Sequence, residues 1–174
     1  QDQQDYVWIN GEQVEALLEA ARQDALHPQL LPVIAVAAYA GLRAGEVLGL
    51  QWTDIDFKGR RIAVRRSFGD KDGRDSSTKS RRVRYVPLLG NLRPILDGWQ
   101  ARCSSELWLF PSASGEARLA SDRHLQEHLH VALEAAGIGA DTVQGSRGNS
   151  GFRVRKRRAF TFHDLRHSFA SNWM

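Results

Sequence analysis

The stretch Gly41-Leu42-Arg43-Ala44-Gly45-Glu46-Val47-Leu48-Gly49-Leu50, followed by Trp52 and Asp54-Ile55-Asp56, is where the chain turns from helical to strand texture. Ahead of it, Asn10 and Gln13 read as a capping pair, and Val14, Leu17, Leu18 and Ala21 repeat at helical spacing, which predicts a first helix over residues 11–25. A second helix begins near Pro28, carries Leu31, Ile34, Ala35, Ala38 and Tyr39 on one face, bends at Pro32 and ends at Gly41. Residues 44–50 form a short third helix, and the polar residues 1–7 are expected to be loose.

Beyond the quoted stretch, residues 54–57, 61–66 and 83–88 are β-rich, with Lys58-Gly59 as a tight connection and residues 69–77 as a longer turn. Ile62 and Val64 alternate with Arg61, Ala63 and Arg65, so one face should pack while the other presents guanidinium groups. Helices over residues 91–102 and 119–136 bracket Leu107-Trp108-Leu109-Phe110-Pro111, an apolar run expected to enter the core. Residues 137–151 read as a flexible loop, and Phe162 leads into a last helix. The aromatic side chains Trp52, Trp99 and Trp108 are assigned to packing. These elements predict an α+β fold, mainly α-helical with a small three-stranded antiparallel sheet.

Composition narrows the function. Of 174 residues, 24 are Lys or Arg and 20 are Asp or Glu, a net charge of only +4. The distribution is uneven: residues 58–84 hold eleven basic and three acidic groups, residues 151–167 six and one, and the remainder seven and sixteen. A strongly positive part beside a negative remainder points to a polyanion partner. With 42% hydrophobic residues the chain can bury a core. The single cysteine, Cys103, excludes an internal disulfide framework and a cysteine metal cluster. Its longest apolar stretch, residues 30–42, falls short of the roughly 20 residues a membrane helix needs and contains Pro32. No basic and apolar leader opens the sequence, and the absence of a starting Met leads us to expect a fragment.

An enzyme acting on a phosphodiester must hold the negative charge that develops on the non-bridging oxygens. Two convergent arginines do so with fixed geometry, and a lysine or histidine can deliver a proton to the departing sugar oxygen. Three segments supply such groups. Arg43 stands at a helix start between Gly41 and Gly45, with Glu46 on the same helical face. Lys79, in Thr78-Lys79-Ser80-Arg81-Arg82, sits at the base of a hairpin turn. His163 and Arg166, in Phe162-His163-Asp164-Leu165-Arg166-His167, lie three apart near a helix start and can address one phosphate while Leu165 and Phe169 face inward.

These landmarks, in this order and spacing, with Pro87 eight residues after Lys79 and with His163-Asp164-Leu165-Arg166-His167-Ser168-Phe169-Ala170-Ser171, resemble the catalytic domain of the tyrosine recombinases, the phage-integrase family. The resemblance implies that Arg43 and Arg166 clamp the scissile phosphate, that Lys79 is the general acid for the leaving 5′ oxygen, and that His163 assists proton transfer. Glu46 resembles the acidic partner that orients the first arginine, and His167 a supporting residue. It also implies a tyrosine nucleophile, a 3′-phosphotyrosyl intermediate, no metal and no nucleotide cofactor. The partners implied are double-stranded DNA and, for a full-length protein, other subunits in a tetrameric synapse. No membrane is implied; the expected setting is cytoplasmic and nucleoid-associated, in a bacterium or phage. Arg81, Arg82 and Arg84 in the hairpin, with Arg153, Arg155, Lys156, Arg157 and Arg158, are expected to hold flanking DNA backbone.

One departure shapes the expectation. The family continues after its second arginine with Leu-Gly-His or Leu-Gly-Trp and then the tyrosine, whereas this sequence stops at Asn172-Trp173-Met174. Its tyrosines, Tyr6, Tyr39 and Tyr85, do not stand in the nucleophile's context. The expectation is a partial catalytic domain spanning residues 1–174, lacking the family's amino-terminal DNA-clamping domain, monomeric, and able to bind but not cleave DNA. The alternative is a non-catalytic DNA-binding module or regulator derived from the same fold. A further pattern, His124-Leu125-Gln126-Glu127-His128, matches His-x-x-Glu-His of zinc peptidases. Because Leu125, Leu129, Ala132 and Leu133 form an apolar stripe, it is read as a core-facing helix with flanking histidines, His130 exposed, and no metal.

Overall fold

A computed structural model describes residues 7–68, 75–76, 83–119, 122–139, 144–145 and 160–173. In chain order the elements are β1 (Val7–Trp8), α1 (Gly11–Gln23), α2 (Leu30–Ala40), α3 (Ala44–Leu48), a 3-10 turn (Trp52–Asp54), β2 (Ile55–Asp56), β3 (Arg61–Val64), β4 (Ser67–Phe68), β5 (Asp75–Ser76), β6 (Arg84–Pro87), α4 (Leu92–Gln100), α5 (Asp122–Ala135), β7 (Gln144–Gly145) and α6 (Phe162–Trp173). The α+β class, mainly helical with a three-stranded antiparallel sheet, is as expected: that sheet runs β2-β3-β6, with Ile62 opposite both Ile55 and Val86.

Helix α1 starts on a reciprocal cap, the Asn10 side chain accepting the Gln13 amide and the Gln13 side chain accepting the Asn10 amide, both at 2.9 Å. It stops at Gln23, two residues earlier than the sequence predicts. There the Asp24 carboxylate takes the amides of Leu26 and His27 at 3.0 and 3.1 Å, turning the backbone out of the helix.

The second helix departs further from expectation. Instead of one apolar face, all eleven residues of α2 are buried. Helices α1, α4, α5 and α6 pack around it, which is why Val33, Val36 and Ala37 are apolar off the expected stripe. Gly41 ends it in the left-handed conformation, φ 62°, with its amide bonded to Ala37 O. The ring of Phe169 on α6 lies 2.5 Å from where a β-carbon of Gly41 would stand, so the turn and the helix contact both require glycine.

Several other expectations are corrected. Val7 is not loose: it is buried in β1, which pairs with β7 inside the segment read as a flexible loop. Likewise β5, inside the supposed long turn, pairs with β4 just ahead of it. The predicted alternation in β3 fails at Ala63, which is buried along with Ile62 and Val64. The arginines expected to line its other face are held in ion pairs, Arg61 to Asp56 and Arg65 to Asp54, each at 3.0 Å.

Of the apolar run, Leu109 and Phe110 are fully buried but Leu107 is exposed. The Trp52 amide donates to Leu107 O and the Leu109 amide to Leu50 O, so the run lies beside residues 50–52, with Leu107 at its outer end and burial beginning at Leu109. Helix α5 begins at Asp122 rather than at Leu119, whose amide instead bonds Phe110 O. The tryptophans pack as expected: Trp99 Nε1 donates to Leu109 O at 2.7 Å and Trp52 Nε1 to Ser105 O at 3.0 Å. Among the described residues no helix is long and apolar enough to cross a membrane.

Gly45 sits where α3 touches β4, and a methyl group there would overlap the Phe68 carbonyl oxygen. Gly45→Ala therefore forces β4 away from α3 and is expected to destabilise the fold by about 1–3 kcal/mol in urea unfolding. An unchanged midpoint would contradict this close approach.

Candidate functional site

The site is organised by one buried carboxylate. Glu46, 2% exposed, stands at the third position of α3, and its Oε2 accepts the amide of Arg43 at the helix start at 2.8 Å. Arg84 reaches it from β6 with both terminal nitrogens, Nη1 to Oε1 at 2.5 Å and Nη2 to Oε2 at 2.8 Å. Arg43 Nη1 adds a longer contact to Oε1 at 3.4 Å and leaves its own side chain 58% exposed. Burial pushes the Glu46 pKa upward, but the Arg84 bond, the Arg43 amide and the charges of both arginines outweigh it and hold the carboxyl below its usual range. The same bond raises Arg84 against the opposing effect of burial.

Arg166 arrives from α6. Its Nη1 donates to the carbonyl oxygen of Gly41, the residue whose left-handed turn separates α2 from Arg43. Burial lowers its pKa, the Arg43 charge lowers it further, Glu46 opposes, and Arg84 adds a smaller lowering. Among the described residues, the guanidinium groups of Arg43 and Arg84 contact the Glu46 carboxylate and that of Arg166 reaches the carbonyl two residues before Arg43, three positive charges to one negative.

The start of α6 is fixed from two sides. Asp164, fully buried, accepts the Thr161 amide and hydroxyl through Oδ2, each at 2.7 Å, and so closes the first turn. From α5, Gln126 Oε1 accepts the Phe162 amide at 2.8 Å, and Gln126 Nε2 and His130 Nε2 meet Phe160 O at 3.0 and 2.8 Å. His130 is therefore half-buried and bonded, not exposed as expected; the carbonyl that precedes α6 draws it in. Leu165 and Phe162 turn into the core, which leaves His163 exposed, its ring centroid 4.8 Å from that of His167.

Of the residues singled out in the sequence, the structure thus gathers Arg43, Glu46, Arg84 and Arg166, with His163 and His167 on the helix that carries Arg166. Lys79, Arg81, Arg82, Arg153, Arg155, Lys156, Arg157 and Arg158 lie outside the described residues. Sequence reading missed two things: that Arg84 is the main partner of Glu46, and that Gln126 and His130 position the α6 start. The four-residue spacing of Gln126 and His130 put them on one helical face, but nothing in the sequence named the backbone 30 residues away that they hold.

Known proteins share this architecture. The family model described as the Phage integrase family matches residues 7–174. A tyrosine recombinase XerC-like protein of Caldanaerobacter subterraneus subsp. tengcongensis is 32% identical over 100 residues, covering 51% of this chain and 25% of that protein. Among solved structures, XerA recombinase superposes with a TM-score of 0.63 at 22% identity, over 95% of this chain and 49% of that one. The Tn1549 transposon integrase, solved in complex with a circular intermediate DNA, gives 0.71 at 18% identity, over 98% of this chain and 54% of that one. The chain spans a quarter of the curated relative and about half of these solved structures. With the match running from β1 through α6 and the fold shared with these recombinases, the chain belongs to the phage integrase family of tyrosine recombinases.

Proposed function

We propose that this chain is the phosphate-binding part of a site-specific DNA recombinase and that Arg43 and Arg166 clamp the scissile phosphate. The observation that carries this reading is the excess of guanidinium charge around buried Glu46, with exposed His163 on the same helix as Arg166. A phosphodiester is the anion such a cluster suits, since planar guanidinium groups match two non-bridging oxygens and stabilise the charge that builds as phosphorus becomes five-coordinate. Arg84, committed to Glu46 through both nitrogens, acts by holding the carboxylate that orients Arg43.

In the proposed reaction a tyrosine oxygen attacks phosphorus, the bond to the 5′ oxygen breaks, and that oxygen takes a proton from Lys79. His163 assists the proton leaving the tyrosine, with His167 in support. The result is a 3′-phosphotyrosyl link, later resolved by a 5′ hydroxyl of a partner duplex. In this reading the nucleophile is neither of the two described tyrosines. Tyr39 is 2% exposed and donates to Glu15, and burial together with that carboxylate pushes its pKa far up; Tyr85 lies beneath the Arg61 guanidinium, 4.9 Å from its ring centroid. Residues 1–174 thus act as one catalytic-domain unit that binds duplex DNA without cutting it. Arg81, Arg82, Arg153, Arg155, Lys156, Arg157 and Arg158 hold flanking backbone, and the tetrameric synapse belongs to the complete recombinase.

Fluorescence anisotropy with a labelled duplex should show affinity that falls steeply with salt. Arg43→Ala and Arg166→Ala should each weaken it about tenfold and lower the salt slope by about one. Arg22→Ala, on the exposed face of α1, should leave it unchanged. Equal binding by all variants would sink the phosphate clamp. A nicked suicide duplex should yield no covalent adduct with this chain; an adduct would overturn the assignment of the nucleophile elsewhere.

The charge balance at Glu46 has its own signature. Because its folded pKa is lowered, the stability it contributes is present above the ordinary glutamate value and is lost as pH falls through the folded one. Glu46→Gln should therefore melt below the wild type at pH 7, with the gap closing below about pH 4. A gap independent of pH would show that the ion pairs add nothing.

A further inference from the structure

Away from the arginine cluster, Asp24, His27 and His128 bring their donor atoms within 4.8 Å of one another, all three half-buried. Asp24 and His27 stand in the connection between α1 and α2, and His128 comes from α5. We propose that they form a binding site for a zinc-class divalent transition-metal ion, which clips that connection to α5.

The donors are in place for it. Asp24 is held by the two backbone amides that its Oδ1 accepts, from Leu26 and His27. His27 Nδ1 lies 3.1 Å from Asp24 Oδ2 and 3.3 Å from Oδ1. Bonds of 2.0–2.1 Å in a tetrahedron set neighbouring donors about 3.3–3.4 Å apart, so this pair already has the separation of two ligands on one ion. The His128 ring stands against the His27 ring, centroids 3.5 Å apart at 33°, and its donor lies within 4.8 Å of the other two. In the metal-bound form the His27 proton sits on Nε2, and Nδ1 turns with the carboxylate toward the ion.

Two imidazoles and one carboxylate are the borderline donor set that suits zinc, cobalt or nickel rather than calcium or magnesium, which take oxygen ligands. Three protein ligands leave the fourth position to water. The pattern His124-x-x-Glu-His128, read from the sequence as a core-facing helix without metal, pairs His128 with His124, whereas this group joins His128 to residues about 100 positions earlier. A bound ion therefore joins two segments far apart in sequence and stabilises the folded state by linkage.

Zinc titrated by calorimetry into chelator-stripped protein should bind at one equivalent per chain and raise the melting temperature. Asp24→Asn, His27→Gln and His128→Gln should each lower affinity at least about tenfold, a loss of the size that disrupted metal sites show. His124→Gln should retain it. Cobalt in the wild-type chain should give the intense visible absorption of a four-coordinate site with no thiolate band, a readout that needs no variant to fold. Absence of uptake, uptake indifferent to Asp24→Asn and His27→Gln, or loss on His124→Gln would overturn the proposal.

Discussion

Glu46 is a carboxylate taken almost wholly out of water, and the region around it is arranged to make that tolerable. Removing a charge from solvent costs several kcal/mol unless partners replace the lost hydration. Here the replacement comes from two elements: the amide and the side-chain charge of Arg43 at the start of α3, and the guanidinium of Arg84 on β6. The sheet is thereby tied to the helical layer through one residue. An arrangement of this kind fixes geometry more than it adds stability, since a well-packed apolar residue could replace the pair at little cost, whereas losing one partner strands the other.

The same centre explains how α6 reaches the site. Gly41 must adopt a left-handed turn to end the fully buried α2, and that turn frees the carbonyl that Arg166 meets. Phe169 then packs on the face of Gly41 that lacks a side chain. One backbone conformation therefore serves the end of one helix, the packing of another and the aim of an arginine. Positive groups that would repel one another in isolation are held together by shared and separate acceptors, Arg43 and Arg84 on Glu46 and Arg166 on the Gly41 carbonyl.

Much of this was legible from local pattern. The capping pair Asn10 and Gln13, the glycine ending α2 and the arginine followed three residues later by Glu46 are short-range signals, and they appear as read. What escaped was long-range. A helix buried on every side carries no stripe to distinguish it, so α2 looked one-sided. The pairing of β1 with β7 spans nearly the whole chain and rests on two residues per strand, too few for an alternating pattern to register. Arg84 read as one more hairpin arginine because no sequence spacing reveals that β6 lies across from α3. His130 looked exposed because its partner is a backbone carbonyl, which any residue type supplies.

The seam between β1 and α6 has a mechanical meaning. The Ile9 amide donates to Ser168 Oγ at 3.0 Å, Asn172 Nδ2 donates to Ile9 O at 3.0 Å, and Ser168 in turn donates to Asp164 O at 2.8 Å. The residue that follows β1 is thereby bonded to two successive turns of α6, the helix that carries His163 and Arg166. Segments 159 and 163 residues apart in sequence are riveted together at Ile9, so α6 cannot slide along its own axis without breaking those bonds.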